Sequence, residues 1–577
     1  MASSLAHRAA LLVVLAVLPV VLGEFLAYQL ALYFLYAIAA LGIGLTWGQA
    51  GFLPLGQAMF IGIAAYLSGH IMKAFGDSVA LVVLLPLAAL VPGLLAYGIG
   101  LLLFRGRRES GPYFAMITLA LTLLVYQIAT NWNAVTGGFN GLKDIPGLPG
   151  MDDVTDAYPV AAVALFFAIM AVAWLVEAPL GVLWRALAQN ERRVAFFGFD
   201  TGRLKAAAFG ASGVLGGIAG VLYAPQQGLV TPELCGFALS ADLVIWAAVG
   251  GRRSVYGPVL GAVLIGTLTA EIRDIISWWE AITAALFIVV VLYAPDGLVG
   301  LLAPLRRFLP RPRQAPEPVA APVRARSEAS LHLEIDDVTT EVGEVRILDR
   351  LTLAIDRPGI FCIIGPNGAG KTSTFNMLTG ELPAQQGRVR LDGAEVTGEA
   401  PDRMTRRGIG RKFQIPNVFA DLSIADNLCI ALWGGRAGAL DLLRPRLRRW
   451  ASPLIDELRQ RFPFLADGGR PAGALSHGER QILELVMALA TEPRLLLLDE
   501  PCAGLSHAET RQVIDVVRWA GERLGSRIVV IEHDMALVKE LADHVFVLHQ
   551  GALLASGSVE EVRANPAVQA VYVGGTK

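Results

Sequence analysis

Over the first three hundred residues the apolar positions gather into runs long enough, or nearly so, to cross a bilayer. They fall near 9–23, 25–45, 58–75, 79–104, 112–130, 157–177, 206–224, 238–250, 255–272 and 281–300. They predict a polytopic all-α membrane domain of about ten helices over residues 1–303, in which the short run at 238 reads as a broken helix. Further along, the apolar runs shorten. Ile360-Phe-Cys-Ile-Ile364 and Leu495-Leu-Leu-Leu498 read as buried strands with helical stretches after them, so residues 331–577 are expected to form an α/β domain.

Composition sharpens this division. The chain has 577 residues, 54% of them hydrophobic and only 17% charged, which is too apolar for one water-soluble domain. Up to residue 313 there are 18 Lys+Arg and 16 Asp+Glu; after it there are 30 and 34. Charge density therefore more than doubles where lipid is expected to give way to water. The join, residues 304–330, carries six prolines and no glycine and reads as a stiff, extended tether. A net charge of −2 gives no basic excess for coating nucleic acid, so no nucleic-acid partner is expected. The four cysteines, Cys235, Cys362, Cys429 and Cys502, are too dispersed for a zinc knuckle or a redox pair.

If the ten runs alternate in direction, fifteen of the eighteen basic residues up to 313, including Arg105, Arg185 and Arg252, fall on one side. Only Lys73, Lys143 and Arg273 fall on the other. This bias puts both termini, and with them the α/β domain, in the cytoplasm. Val21-Leu-Gly23 is a weak cleavage-site pattern, and the first run is expected to be kept as a span; its removal would leave the C-terminus on the same side.

Gly365-Pro366-Asn367-Gly368-Ala369-Gly370-Lys371-Thr372 follows the strand at 360 and matches GxxxxGK[ST] in full. In such a loop backbone N–H groups wrap a β-phosphate, Lys371 neutralises β/γ charge and the Thr372 hydroxyl can ligate Mg²⁺, with Ser373 next in line. The second strand ends in Asp499-Glu500, which sets a Mg²⁺-side carboxylate beside one able to orient or deprotonate a water.

With Leu475-Ser-His-Gly-Glu479 ahead of that strand, the region resembles the ATP-binding cassette ATPases, an α/β P-loop domain with a helical subdomain. The resemblance implies ATP and Mg²⁺ as cofactors. It also implies that Ser476 and Gly478 of one cassette close over the γ-phosphate held by another, that Gln414 is the Q-loop glutamine near Mg²⁺, and that His533 is the switch histidine. Ala503-Gly-Leu505 resembles the D-loop. Two departures stand out: His477 and Glu479 replace the consensus Gly and Gln, and no aromatic precedes the phosphate loop to stack on adenine, which leaves Val342 or Arg346 for that place. The arginines between 433 and 470, such as Arg444, Arg448 and Arg459, read as a solvated face of the helical subdomain.

In the first half, Trp47-Gly-Gln-Ala-Gly-Phe-Leu-Pro-Leu-Gly-Gln57 interrupts an apolar run and is expected either to line a cavity or to serve close packing. Thr136-Gly-Gly-Phe-Asn-Gly141 is a second glycine-rich segment. The stretch Trp184 to Asp200 is amphipathic and basic, as a membrane-surface helix would be, and its position suits a coupling helix seated in a cassette. With Gly111-Pro-Tyr-Phe-Ala-Met and Gly257-Pro-Val-Leu-Gly-Ala262, these segments look like the permease of the branched-chain amino acid importer family. Tyr223-Ala-Pro-Gln-Gln, Ile245-Trp-Ala-Ala-Val-Gly-Gly-Arg252 and Arg411-Lys-Phe-Gln lean toward its urea and short-amide branch.

The resemblance implies a multi-pass subunit of the bacterial cytoplasmic membrane with permease and cassette fused, importing a small amino acid or amide. It further implies a solute-binding protein, membrane lipid, and a second permease and cassette, on separate chains or in a second copy. An exporter, or a membrane-anchored mechanical ATPase, is the competing class. A GTPase is disfavoured, since no NKxD-type segment follows the phosphate loop.

Overall fold

A computed structural model describes residues 12–13, 15, 18–19, 23–76, 78–104, 111–150, 156–294, 296–301, 319–322 and 331–574, without the side chains of 273, 274, 280, 446, 449 and 572–574. Most of the first apolar run, the arginines at 105, 107 and 108 and most of the proline-rich tether lie outside the described residues. The chain divides into two units: residues 1–188 with 201–316, and residues 189–200 with 317–577.

The first unit is helical. Among the described residues, six helices are long and apolar enough to cross a membrane: α1 (Glu24–Ile43, continued by a π-helical turn to Gln49), α2 (Gln57–Phe75), α3 (Leu81–Leu103), α4 (Pro112–Asn131), α5 (Ala157–Glu177) and α8 (Thr201–Gln227). Between them lie α6 (Pro179–Gln189) and α7 (Glu191–Ala195), the latter belonging to the second unit. Three further helices, α9 (Phe237–Gly250), α10 (Gly257–Ile275) and α11 (Trp279–Tyr293), are shorter in their apolar extent. Nine of the ten expected runs are thus helical among the described residues, and six reach spanning length.

The run at 238 is a correction. It is one unbroken 14-residue helix, because no proline or glycine falls between Phe237 and Val249 and the polar Ser240 accepts a hydrogen bond from the Ala58 N–H. Gly251, at φ +118°, ends it.

Small residues let the helix axes approach. On α8, a Cβ at Gly217 would sit 2.0 Å from the Ala89 carbonyl oxygen, and one at Gly220 would sit 2.1 Å from that of Ile61. The pair Gln57 and Ser212 is fully buried yet satisfied: the Gln57 amide donates to the Ser212 carbonyl (3.0 Å) and the Ser212 hydroxyl donates back to Gln57 (2.9 Å). The interruption after α1 resolves toward packing as well. Gln49 donates to the Arg253 carbonyl (2.8 Å), the Leu55 N–H donates to Thr118 (3.0 Å), and Gly48 leaves no room for a Cβ against the Arg252 carbonyl. Gly137 and Gly141 likewise lie against backbone, and Leu142 bridges Val230, so the second glycine-rich segment is a packed turn.

In the second unit a six-stranded sheet runs in the order β9-β8-β3-β7-β6-β5, with β3 (Ile360–Ile364), β5 (Ile409–Lys412), β6 (Leu495–Asp499), β7 (Arg527–Ile531), β8 (His544–His549) and β9 (Ala552–Gly557). All pairs are parallel except β8–β9. A smaller antiparallel sheet holds β1 (Leu333–Val342) between β2 (Val345–Ile355) and β4 (Gln386–Leu391). The core joins the two sheets through Leu351, Ile363, Phe375, Leu497 and Leu548. A helical region carries α13 (Ile424–Trp433), α14 (Pro453–Arg461) and α15 (His477–Ala490), and α12 (Lys371–Leu378) follows β3, α16 (His507–Leu524) follows β6, and α17 (Pro566–Gly574) is the last described element. Three of the described arginines of the helical region are ion-paired, Arg448 with Asp426, Arg459 with Asp456 and Arg444 with Asp441, each at 2.9 Å, and Arg461 lies over the Trp519 ring.

Candidate nucleotide site and its approach

Parallel strands β3, β7, β6 and β5 lie side by side, so the segments leaving their C-terminal ends share one edge of the sheet. The loop 365–370 leaves β3, Glu500 leaves β6, Gln414 follows β5 by two residues and His533 follows β7 by two. In the loop Gly365 has φ +150°, and a Cβ there would fall 2.2 Å from the Leu548 carbonyl; Gly370, at φ +97°, turns the chain into α12. Asn367 and Gly368 are exposed, while Ala369 is buried and receives the Gly551 N–H on its carbonyl at 3.1 Å. Lys371 donates to the Gly365 and Pro366 carbonyls (2.8 and 3.0 Å), and burial holds its ammonium below its ordinary pKa against the pull of Glu500 and Asp499.

Gln414 donates to Glu500 at 2.8 Å, and the His533 Nδ1 stands 3.7 Å from the other Glu500 oxygen. Thr372, at the first turn of α12 with Ser373 beside it, hydrogen-bonds Asp499. Asp499 is 2% exposed, its Oδ1 has no partner, and burial raises its carboxyl above the ordinary value in spite of Arg411. A buried carboxylate oxygen with no donor, next to a threonine hydroxyl at a helix N-terminus, is a donor set that fits an Mg²⁺-bound phosphate.

Ser476 and Gly478 make their contacts elsewhere. Ser476 caps α15 by accepting from the Glu479 N–H (3.1 Å), and the Glu479 carboxylate returns the bond to the Ser476 N–H (2.7 Å). A Cβ at Gly478 would strike Glu509. Glu479, at the place of the consensus Gln, thus completes a capping box. Val342 is exposed, and Arg346 is taken up by Glu341 and Asp349. A cavity of about 530 Å³ opens beside the phosphate loop instead, between residues 366–369, His549, Gln550 and, from α17, Ala570 and Val571.

Sequence reasoning missed a buried ionic group under β5. Segment 189–200 packs there. Asn190 caps α7 and donates to Asn417 (3.3 Å), Gln189 accepts from the Asp421 N–H (2.9 Å), and Phe196 meets the Phe413 ring edge-on at 4.9 Å. Arg193, 1% exposed, donates to the Arg411 carbonyl (2.8 Å) and lies 3.5 Å from the equally buried Glu484. Arg411 itself donates to Thr379, Glu381 and Asn376 (3.0, 3.1 and 2.8 Å) and stands 3.9 Å from Asp499, and burial lowers its pKa to about 10. Beyond the position that suits a coupling helix, the sequence hinted at this with the run Phe196-Phe197 near two arginines, more apolar than a solvated loop needs.

Comparison with known proteins adds three family matches. Residues 25–293 match the branched-chain amino acid transport system permease component, 348–503 match the ABC transporter family, and 552–577 match the branched-chain amino acid ATP-binding cassette transporter family. The high-affinity branched-chain amino acid transport ATP-binding protein BraF of Pseudomonas aeruginosa is 34% identical over 254 residues, 42% of this chain and 97% of that protein. LivG of Escherichia coli, described in the same words, is 32% identical over 249 residues, again 42% and 97%. A solved ATP-binding cassette of an ABC transporter in its ADP conformation is 26% identical, covering 43% of this chain and all of that one, with a TM-score of 0.37.

Proposed function

Since the chain belongs to the branched-chain amino acid ABC transporter family and carries permease and ATPase in one polypeptide, we propose that it imports a small neutral amino acid of the branched-chain class. Residues 1–303 are the permease, 304–330 the linker and 331–577 the cassette in this reading. ATP hydrolysis is coupled to transport, and a solute-binding protein delivers the solute at the outer face of a bacterial cytoplasmic membrane. A second permease and a second cassette, on separate chains, complete the working unit. The urea and short-amide option has only a few local stretches of sequence in its favour, whereas the relatives named above are branched-chain amino acid proteins.

The observation that carries the ATPase assignment is the meeting of Gln414, Glu500 and His533 beside the Thr372–Asp499 pair at one sheet edge. Loop amides 365–370, with Lys371 and Ser373, are assigned to the phosphates; Thr372, Asp499 and Gln414 would hold Mg²⁺, which neutralises phosphate charge when bound. Glu500 orients and deprotonates the attacking water, and His533 contacts the γ-phosphate. Ser476 and Gly478 are assigned to the nucleotide of the opposing cassette.

Two measurements test the reading. Lys371→Ala is expected to abolish retention of magnesium nucleotide by the purified chain. Liposomes holding the full chain, the subunits that copurify with it and its binding protein are expected to accumulate labelled leucine and not labelled urea. Normal nucleotide retention by the variant would remove the loop from its role. Failure of the binding protein to stimulate ATPase activity would favour an exporter.

A further inference from the structure

The sheet edge that carries Glu500 and His533 also carries a buried carboxylate. Glu532 is the first residue beyond β7. Because Ile531 pairs with Asp499 across the β7–β6 ladder, Glu532 stands level with Glu500, the first residue beyond β6. Their surroundings differ: Glu532 is 2% exposed, whereas the side chains of Glu500 and His533 are 21% and 67% exposed. The Glu532 carboxylate is within hydrogen-bonding reach of the Cys502 and His533 backbone N–H groups, and its Oε1 is buried with no partner among the described residues. Burial raises its pKa above the ordinary value, against the pull of His533 and of those two donors.

Such a placement is costly, since a buried charge without a full set of donors is unfavourable. The nearby thiols of Cys362 and Cys502 do not offset it: burial, with Glu532 adding to the effect, pushes both up to about 12 and leaves them neutral. What the carboxylate supplies is a strong acceptor, because an ionised oxygen accepts hydrogen bonds about twice as strongly as a neutral one. The backbone around it shows the use. The Glu500 N–H donates to the Ile531 carbonyl at 3.0 Å, the Ala503 N–H donates to the Glu500 carbonyl at 3.2 Å, and the Cys502 N–H between them faces Glu532. Segment 500–503 is thus fastened to the end of β7 at two successive residues, through the main chain of Ile531 and through the side chain of Glu532.

We propose that Glu532 is a positioning residue for ATP hydrolysis: by accepting from Cys502 and His533 together, it holds the turn behind Glu500 and the backbone of His533 as one unit. It acts through these two residues and not on the reacting atoms. The His533 ring is largely exposed, so its place 3.7 Å from Glu500 depends on where its main chain is anchored. Residues 503–505 follow at once, so the same carboxylate also sets where the segment resembling the D-loop begins. A small displacement of a water-positioning group costs rate more than it costs binding, which is the signature expected of Glu532. This inference rests on the roles proposed above for Glu500 and His533.

The test is steady-state ATP hydrolysis by the full chain with its copurifying subunits, with Glu500→Gln and His533→Ala as reference variants. Glu532→Ala is expected to lower kcat about tenfold to a hundredfold while the KM for ATP stays within about threefold of wild type. Glu532→Gln, which keeps an acceptor oxygen and removes the charge, is expected to recover part of that loss and still to fall at least about threefold short of wild type. Hydrogen exchange at the amides of Cys502 and His533 is expected to quicken about tenfold or more in Glu532→Ala. A kcat within about twofold of wild type in both variants overturns the proposal, as do a KM that rises in step with the loss of kcat, equal losses in the two variants, or unchanged exchange at both amides. If Glu532→Ala does not fold, Glu532→Gln decides alone on kcat and KM by the same limits. Near wild-type turnover in Glu500→Gln and His533→Ala would instead remove the site reading on which the proposal stands, whereas loss of turnover in those two with wild-type rates in the Glu532 variants removes the proposal only.

Discussion

Glu500 has a backbone φ of +43°, a region that non-glycine residues rarely enter, and is held there by its N–H bond to the Ile531 carbonyl at 3.0 Å. Strain of this kind persists where the surroundings over-determine the residue. Here it fixes a carboxylate between Gln414 and His533, so Glu500→Gln should keep the hydrogen-bonding shape and lose the base. ATP binding is expected to remain while turnover in a phosphate-release assay falls by about two to three orders of magnitude. The buried Asp499 adds a pH dependence. A carboxyl whose pKa is raised on folding contributes stability that is present below its unfolded value and lost as pH rises through the folded value. Binding a cation runs the other way, since the ligand must be ionised. Magnesium-nucleotide affinity is therefore expected to fall as pH drops through the raised pKa of Asp499, and binding titrations across the acid range should show that slope flattened in Asp499→Asn.

Segment 189–200 argues at the scale of one element. Its five-residue helix α7 is too short to stand alone, and it is held by side chains: Arg192 bonds Glu381, Thr405 donates to the Phe196 carbonyl at 3.2 Å, and Arg193 pairs with Glu484. Removing one member of a buried ion pair leaves the other charge stranded, at about 3–5 kcal/mol, whereas replacing both with apolar groups is often neutral. Arg193→Met is expected to lower the unfolding midpoint of the detergent-purified chain and Arg193→Met with Glu484→Met to restore most of it; additive losses would show that the pair is not coupled. That the stretch 184–200 suits a helix seated in a cassette was legible in the sequence, but the buried pairing was not, because a basic residue in a polar loop reads as solvent-facing. The phosphate loop and Asp499-Glu500 were legible because their chemistry is contiguous along the chain. The meeting of Gln414, Glu500 and His533 was legible only through the family resemblance, because it depends on β5, β6 and β7 being neighbours in the sheet, which residue order does not state. The helix at 237–250 was misread on length alone, although its lack of proline and interior glycine already argued for continuity.

At the scale of the whole molecule, one chain carries a phosphate loop and a signature segment, but Ser476 is used within its own helix cap and has no bond to the loop 365–370 among the described residues. If the signature serves an opposing cassette, each site combines the loop of one cassette with the α15 N-terminus of the other, whose helix dipole favours the negative charge of a γ-phosphate. That geometry makes stoichiometry testable by complementation. Glu500→Gln and Ser476→Arg each inactivate both sites of a homodimer. Coexpressed in a homodimer, however, they place both lesions in one site and leave the other intact, so ATPase activity would return to a measurable fraction. With a second cassette on a separate chain, the two variants never share a complex and no activity returns. The expected outcome is absence of rescue, together with a detergent-corrected mass that differs from two copies of a 61.5 kDa chain. Restored hydrolysis on coexpression would instead make this chain its own partner.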